Sequence, residues 1–255
     1  MSSKTAAFAG VLLGLSCLAG AARADDLCPC PPPPPPEPAW KGSLGAGLST
    51  SSGNTSSKSY NVSFGAAYDP KAKNVFKADG IYLRQQTDGE TTTDKTAAGV
   101  RDEYKLGARA FVFGDLRYLR DPFKGVRYVV SPVAGFGYKL VDAPKATLSL
   151  DAGVGAQFEG LEGLESTTSG AVQAGQALNA KLSASTTFTQ RATALWKMND
   201  FGDALYRVEA ALLVSLSKRL ELKVADYFDY KTRPPSPGLK KNDNSVVAAV
   251  VFKIG

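Results

Sequence analysis

Apolar and polar residues alternate along most of the chain from Trp40 onward, and this period of two predicts β-strands. The segment 60–68 places aromatic and branched side chains on one face and small or polar ones on the other, and the segment 246–252 repeats the pattern. About twelve such segments occur, each near the roughly 9 to 11 residues that a tilted strand needs to cross a bilayer. The pattern therefore predicts an all-β fold, an up-and-down antiparallel transmembrane barrel of about twelve strands over residues 40–255.

The connections between these segments alternate between long and short. The long ones are STSSGNTSSK, QTDGETTTD, RDPFKG, EGLEGLESTTSG, KMNDFGD and TRPPSPGLKKND. Outer-membrane barrels have short periplasmic turns and long external loops. The alternation therefore predicts that both chain ends lie in the periplasm, with Lys71 and Ala143 in periplasmic turns.

A soluble β-barrel or sandwich would show the same alternation. However, apolar side chains fill a barrel of about eight strands, whereas about twelve leave a lumen too wide for the Ala, Val and Gly faces of this chain. The apolar faces are therefore predicted to face lipid, with aromatic girdles near the strand ends. The predicted girdle residues are Trp40, Tyr68, Tyr82, Tyr118, Tyr128, Tyr138, Trp196 and Tyr206. Two residues do not fit: Asp226 lies on an apolar face, and Pro132 lies in mid-strand, where a β-bulge is predicted.

Residues 1–39 differ in composition from the rest of the chain. Residues 1–24 carry an early lysine, an apolar run and a small-x-small site, which together predict a cleaved secretory signal peptide. Residues 25–39 are predicted to form a Cys- and Pro-rich periplasmic arm. Its cysteines, Cys28 and Cys30, are a candidate thiol pair, and no disulfide framework reaches the body of the protein.

Composition excludes several classes of function. Loss of Lys4 and Arg23 with the signal peptide lowers the formal charge from +6 to +4, and this scattered surplus predicts no nucleic-acid partner. The chain has no histidine, which excludes Ser-His-Asp catalysis and His-ligated zinc. No catalytic residue, metal ligand or cofactor is predicted.

Several short motifs follow one another along the predicted barrel. They are Ser52-Gly53-Asn54-Thr55, Asp121-Pro122-Phe123 with Gly125 and Tyr128, Gly135-Phe136-Gly137-Tyr138, Asp151-Ala152-Gly153 and the closing segment 241–252. In this order and spacing, the region from Trp40 to Gly255 resembles a family of salt-induced outer membrane proteins, a domain of unknown function. The resemblance implies an outer-membrane barrel of a Gram-negative bacterium, inserted by the barrel assembly machinery and surrounded by outer-membrane lipids. It implies no activity, and the proline arm departs from it.

The polar faces of the strands are predicted to line the lumen. The candidate lumen-lining residues are Arg101, Arg109, Arg117, Arg127, Lys139, Lys181, Arg191, Arg207, Glu209 and Lys223. Basic side chains outnumber acidic ones on these faces by about two to one, and rings of Arg and Lys favour anions. The sequence predicts a small, weakly anion-selective pore linked to envelope or osmotic adaptation. A closed structural barrel with fully paired charges is the main alternative, and an enzyme with an unrecognised site is the other.

Deletion of Cys28–Pro36 tests the arm. A polyproline run rises about 3.1 Å per residue, so the prolines would form a semi-rigid rod on the order of 25 Å long. The rod is either an inert spacer or a means of presenting Cys28 and Cys30 to peptidoglycan or to a periplasmic partner. In both cases the deletion is expected to leave a heat-modifiable folded band in unboiled gels. Loss of that band would show that the arm braces or plugs the barrel instead.

Overall fold

Twelve antiparallel strands close into one barrel in the part of the chain that the structure describes. The structure, a computed structural model, describes residues 38–51, 57–234 and 241–254. The strands are β1 (Trp40–Ser51), β2 (Ser57–Tyr68), β3 (Asn74–Thr87), β4 (Glu90–Lys105), β5 (Ala110–Asp121), β6 (Val126–Ala143), β7 (Ala146–Leu161), β8 (Thr167–Lys181), β9 (Thr186–Lys197), β10 (Asp200–Ser215), β11 (Leu220–Lys231) and β12 (Asn242–Ile254). Each strand pairs with its neighbours in sequence, and β1 pairs with β12 from Gly42 opposite Ile254 to Ala46 opposite Val250. The prediction of an up-and-down transmembrane barrel is confirmed.

The predictions for residues 1–37, including the signal peptide, Cys28 and Cys30, lie outside the described residues. A 3₁₀ turn, Pro122–Lys124, separates β5 from β6. No helix in the described ranges is long and apolar enough to span a bilayer.

The barrel has two ends, named here by their connections. The turn end carries the connections 69–73, 106–109, 144–145, 182–185 and 216–219, and the loop end carries 88–89, 122–125, 162–166 and 198–199. Trp40, the first residue of β1, and Ile254, the last residue of β12, both lie at the turn end.

Two predicted long loops are strand hairpins instead. QTDGETTTD contains a two-residue turn at Asp88 and Gly89, whose φ values of 51° and 87° match the left-handed conformation that a tight hairpin turn requires. KMNDFGD likewise turns at Met198 and Asn199. The strands are therefore longer than predicted, because polar, threonine-rich segments continue the ladder beyond the apolar region.

The outer face of the barrel is apolar, whereas the inner face carries the charged side chains beside a small apolar cluster. On the outer face, Leu48 and Val246 leave 77% and 73% of their surface exposed, whereas Arg101 and Glu159 inside are only 3% and 2% exposed. A large, contiguous apolar exterior on a closed barrel marks contact with lipid. The prediction that the apolar faces of the strands point outward is thus confirmed.

Aromatic side chains gather near both ends of the outer face. At the turn end, the rings of Trp40 and Tyr68 lie 4.6 Å apart. At the loop end, Tyr206 lies 6.0 Å from Trp196 and 6.1 Å from Tyr230. Amphipathic rings favour the interface between lipid and water, so these two groups form the expected girdles.

Asp69 fastens the first connection at the turn end. Its backbone N–H donates to the carbonyl of Ala39 at 2.8 Å, which extends the pairing of β1 with β2. Its carboxylate accepts from the backbone N–H of Lys71 at 3.0 Å and from the Lys105 ammonium at 3.2 Å. Burial opposes ionisation of this carboxyl, but these two partners prevail and lower its pKa.

Glycines on β6 and β7 let the inner wall pack closely. A Cβ on Gly137 would lie 2.2 Å from the ring of Phe111, and one on Gly135 would lie 2.2 Å from the carbonyl oxygen of Ala152. The ring of Phe111 therefore occupies the space that a side chain at Gly137 would need. Glycine at this position therefore makes room for the side chain opposite.

Pro132 interrupts pairing without producing the predicted bulge. The register of β6 with β5 and with β7 is the same on both sides of Pro132, so the bulge prediction is wrong. Pairing with β7 lapses between Val130 and Val133, because the missing N–H faces that strand. The register shifts of β6 occur near its ends, between Val126 and Tyr128 and between Lys139 and Val141.

Asp226 lies on the outer face in the middle of β11, as its position in the sequence predicts. It lies opposite Ala210 on one side and Val246 on the other, and its Oδ1 atom is buried with no hydrogen-bond partner in the described structure. A carboxylate that faces lipid destabilises a membrane barrel.

Asp226→Val is therefore expected to stabilise the barrel in lipid vesicles by about 1–2 kcal/mol, measured from urea unfolding. Asp229→Val is the control, because it is the same change on the same strand but on the inner face. Asp229 pairs with Lys95 and Arg207, so its loss is expected to cost about 3–5 kcal/mol. Destabilisation by Asp226→Val would contradict the assignment of this side chain to lipid.

The barrel lumen as the candidate functional site

The lumen contains one main cavity of about 360 Å³ among the described residues. Every strand from β2 to β12 except β7 contributes to its wall. Its charged lining consists of Asp79, Lys95, Asp115, Arg117, Arg191, Arg207, Glu209, Lys223 and Asp229. Two smaller cavities, of about 70 and 40 Å³, lie towards the loop end.

Arg101 organises the inner wall at the turn end. Its guanidinium lies 2.8 Å from Glu103, 3.0 Å from Asp151 and 3.7 Å from Asp115. It also lies over the ring of Phe113, 3.8 Å from the ring centre. Charge pairing and the cation–π contact together hold this side chain flat against the wall, where it is 3% exposed.

Ion pairs also cross the lumen. Lys95 of β4 pairs with Asp229 of β11 at 2.5 Å, although these strands lie nearly opposite each other in the closed order. Asp229 also accepts from Arg207 at 2.8 Å. This bridge divides the lumen and narrows any passage through it.

A second bridge lies nearer the loop end. Glu159 of β7 is 2% exposed and pairs with Lys197 of β9 at 2.6 Å and with Lys231 of β11. Lys197 reaches Asp203 at 2.7 Å as well. A carboxylate this deeply buried needs paired cations, since an unpaired buried charge is strongly destabilising.

Arg191 differs from the other charges of the cavity. It makes no hydrogen bond or ion pair with any described residue. Glu209 lies directly opposite Arg191 in the ladder, but its carboxylate pairs with Lys223 at 3.0 Å. On the next strand, the Nη2 atom of Arg207 is buried and also lacks a partner in the described structure. The guanidinium of Arg191 and the Nη2 atom of Arg207 are therefore hydrogen-bond donors without an acceptor in the described structure, and both lie on one side of the cavity.

The predicted lumen residues fall into three groups. The main cavity is lined by Arg117, Arg191, Arg207, Glu209 and Lys223. Arg101 lies against the inner wall on the turn-end side of this cavity. Three more lie at the turn end: Arg109 and Lys181 are exposed, and Lys139 is half-buried and pairs with Asp142 at 3.1 Å.

Arg127 does not line the cavity. The bulge between Val126 and Tyr128 directs Val126 inward in its place, and Arg127 is exposed near the loop end. A strict period of two would have turned Arg127 inward, so this correction follows from one extra residue in the strand.

The predicted two-to-one ratio of basic to acidic lumen charges leaves out charged residues of both signs. Sequence reasoning missed several charged residues that lie on the inner face or in the pairs described above, namely Lys95, Asp121, Glu159, Lys197, Asp203, Asp229, Lys231 and Asp243. Most lie within or beside segments predicted to be loops. Continuing the period of two through those segments would have found them. The cavity itself carries five basic and four acidic side chains, close to balance.

No group of acidic or cysteine side chains in the described ranges could hold a metal ion. What the cavity offers is a set of fixed charges and hydrogen-bond donors in a confined space. Such a lining suits recognition or passage of a small solute.

Comparison with known proteins gives the family. Residues 44–254 match the family described as "Protein of unknown function, DUF481". The chain belongs to this family. A relative from Escherichia coli (strain K12), the uncharacterized protein YdiY, is 24% identical over 217 residues, which cover 84% of this chain and 83% of the relative.

Solved outer-membrane barrels superpose on this DUF481 protein to different extents. The NanC porin superposes with a TM-score of 0.51 at 12% identity, over 84% of this chain and 100% of the porin. The translocator domain of the autotransporter NalP from Neisseria meningitidis gives a TM-score of 0.46 at 13% identity, over 85% of this chain and 87% of the domain. The likeness to the NanC porin shows a porin-like architecture.

Arg101→Met tests the wall cluster. Removal of this cation leaves three carboxylates close together, so the free energy of unfolding is expected to fall by about 3–5 kcal/mol. Urea unfolding in lipid vesicles measures the change. Arg109→Met, in an exposed turn at the same end, is the control and is expected to change stability by less than about 0.5 kcal/mol. Equal stabilities for the two variants would mean that water already screens the cluster.

Proposed function

We propose that this protein is a small, weakly anion-selective pore of the outer membrane. The observation that carries the proposal is the cavity within the lumen, where Arg191 and the Nη2 atom of Arg207 have no partner among the described residues. Unpaired basic groups in a pore attract anions. The near balance of the other cavity charges keeps the selectivity weak.

The bridges across the lumen support a small conductance. Lys95 with Asp229, and Glu159 with Lys197 and Lys231, occupy much of the cross-section that about twelve strands would leave open. Passage past these pairs would admit only small solutes.

A closed structural barrel is the second candidate, and the same bridges favour it. If Lys95 and Asp229 never separate, the lumen conducts nothing and the barrel serves the envelope mechanically. An enzyme is the weakest candidate, because the cavity brings together no nucleophile with a general base and the described chain offers no metal site.

The apolar exterior and the two aromatic girdles support insertion in the outer membrane, with lipids and the barrel assembly machinery as partners. Peptidoglycan or a periplasmic partner remains a proposal for the arm alone. A link to salt or osmotic adaptation rests on the family resemblance.

Reversal potentials in planar bilayers test the pore. In a KCl gradient the refolded protein is expected to show small, weakly anion-selective currents. Arg191→Glu is expected to move the reversal potential towards the cation side, because it reverses an unpaired charge in the cavity. Arg127→Glu is the matched control, since it makes the same charge change at the exposed bulge and is expected to leave the potential unchanged.

Cation selectivity of the unaltered protein would reject the proposed selectivity. Absence of current from correctly folded barrel would favour the closed candidate. In that event Lys95→Ala distinguishes a barrel closed by the bridge, which would begin to conduct, from one closed throughout.

A further inference from the structure

We propose that Arg191 and Arg207 form a binding subsite for small organic monocarboxylates that carry a short apolar body. The inference rests on the proposed pore, for which it names the class of solute. It depends on three features of the main cavity: free guanidinium donors, an adjoining aliphatic wall and a matching volume.

The two arginines are diagonal neighbours on the inner face. Arg191 of β9 pairs in register with Glu209, and Arg207 of β10 pairs with Thr193, so each arginine lies one inward-facing position from the other across the ladder. Long side chains in this relationship reach a common point. Arg191 has no described partner, and the Nη2 atom of Arg207 is buried and unpartnered. A planar guanidinium fork fits the two oxygens of a carboxylate.

The carboxylates already present do not use these donors. Asp229 binds the Nε atom of Arg207 and also Lys95, and Glu209 binds Lys223. Leaving Nη2 of Arg207 buried without an acceptor is costly. A bound carboxylate would satisfy this donor and balance the charge of Arg191.

Aliphatic side chains form the wall on the loop-end side of the two arginines. Leu195 and Leu205 face each other in the ladder. Leu195 lies two inward-facing positions from Arg191 on β9, and Leu205 lies one inward-facing position from Arg207 on β10. The remaining aliphatic lining consists of Ile81, Leu83, Leu119 and Val129. Such a wall suits a few carbon atoms and disfavours a bare inorganic anion or a fully hydroxylated solute.

The size of the cavity is also consistent with a small ligand. Its volume of about 360 Å³ lies at the low end of the range for small-molecule sites. An aromatic or short-chain carboxylate such as benzoate or hexanoate therefore satisfies the charge, the apolar wall and the volume together.

Equilibrium dialysis of labelled benzoate against refolded protein tests the subsite, with empty micelles as the blank. Benzoate is expected to bind, and hexanoate is expected to displace it. Inorganic phosphate, which has only the charge, and benzyl alcohol, which has only the apolar body, are expected to displace it poorly at equal concentration. Arg191→Gln is expected to weaken benzoate binding by about tenfold or more. Arg109→Gln, the same change in an exposed turn, is expected to leave binding within about twofold.

The heat-modifiable band in unboiled gels confirms folding of each variant. If Arg191→Gln fails to fold, Arg191→Lys serves in its place, because it keeps the charge and loses the fork; weaker binding is again expected. Binding that is unchanged in the folded variant, or displacement by phosphate as strong as by hexanoate, would overturn the subsite.

Currents in KCl separate the two proposals. A conducting barrel that does not bind benzoate would overturn the monocarboxylate subsite and leave the pore intact. A folded barrel that never conducts would overturn the pore and, with it, the assignment of monocarboxylates as its solutes.

Discussion

Closure of the sheet is the constraint on which the rest of this structure depends. In lipid no water is available for an unpaired backbone N–H or carbonyl, so a membrane β-sheet has to return to its first strand. Here β1 and β12 meet between Gly42 and Ala46 on one side and Ile254 and Val250 on the other. Closure fixes which face meets lipid, and every polar side chain on the opposite face is then enclosed in the lumen.

Enclosure in turn governs how the charges are arranged. Charges in a confined lumen are screened less than on a surface, so most cations there are stabilised by a nearby carboxylate. Arg101 is held by Glu103, Asp115 and Asp151, and Glu159 is held by Lys197 and Lys231. Some of these pairs join strands far apart in the sequence, as Lys95 of β4 joins Asp229 of β11, and such pairs tie opposite walls together.

The strand faces are predictable because period-2 alternation determines them directly. On β12 the outward residues are those predicted, Val246, Ala248, Val250 and Phe252. The bulge beside Arg127 was not predictable, because nothing in the alternation shows where an extra residue enters. The alternation predicts a loop around Asp88 and Gly89, where the structure has a hairpin, because strands outside the membrane lose their apolar face. The charged pairs in those polar strands were therefore missed along with the strands.

The residues beside Arg191 on the two neighbouring strands explain why it alone among the cavity charges has no described partner. Glu209 of β10, the ladder neighbour of Arg191, pairs instead with Lys223 of β11. Lys223 also donates a hydrogen bond to the hydroxyl of Tyr227. On the other side Arg191 lies opposite Ala177, which has no polar group to offer. Acids satisfy Arg101 and Arg117 on the opposite wall, whereas the one acid beside Arg191 in the ladder is already paired with Lys223. The free guanidinium therefore points to a role in the cavity rather than to one in holding the barrel together.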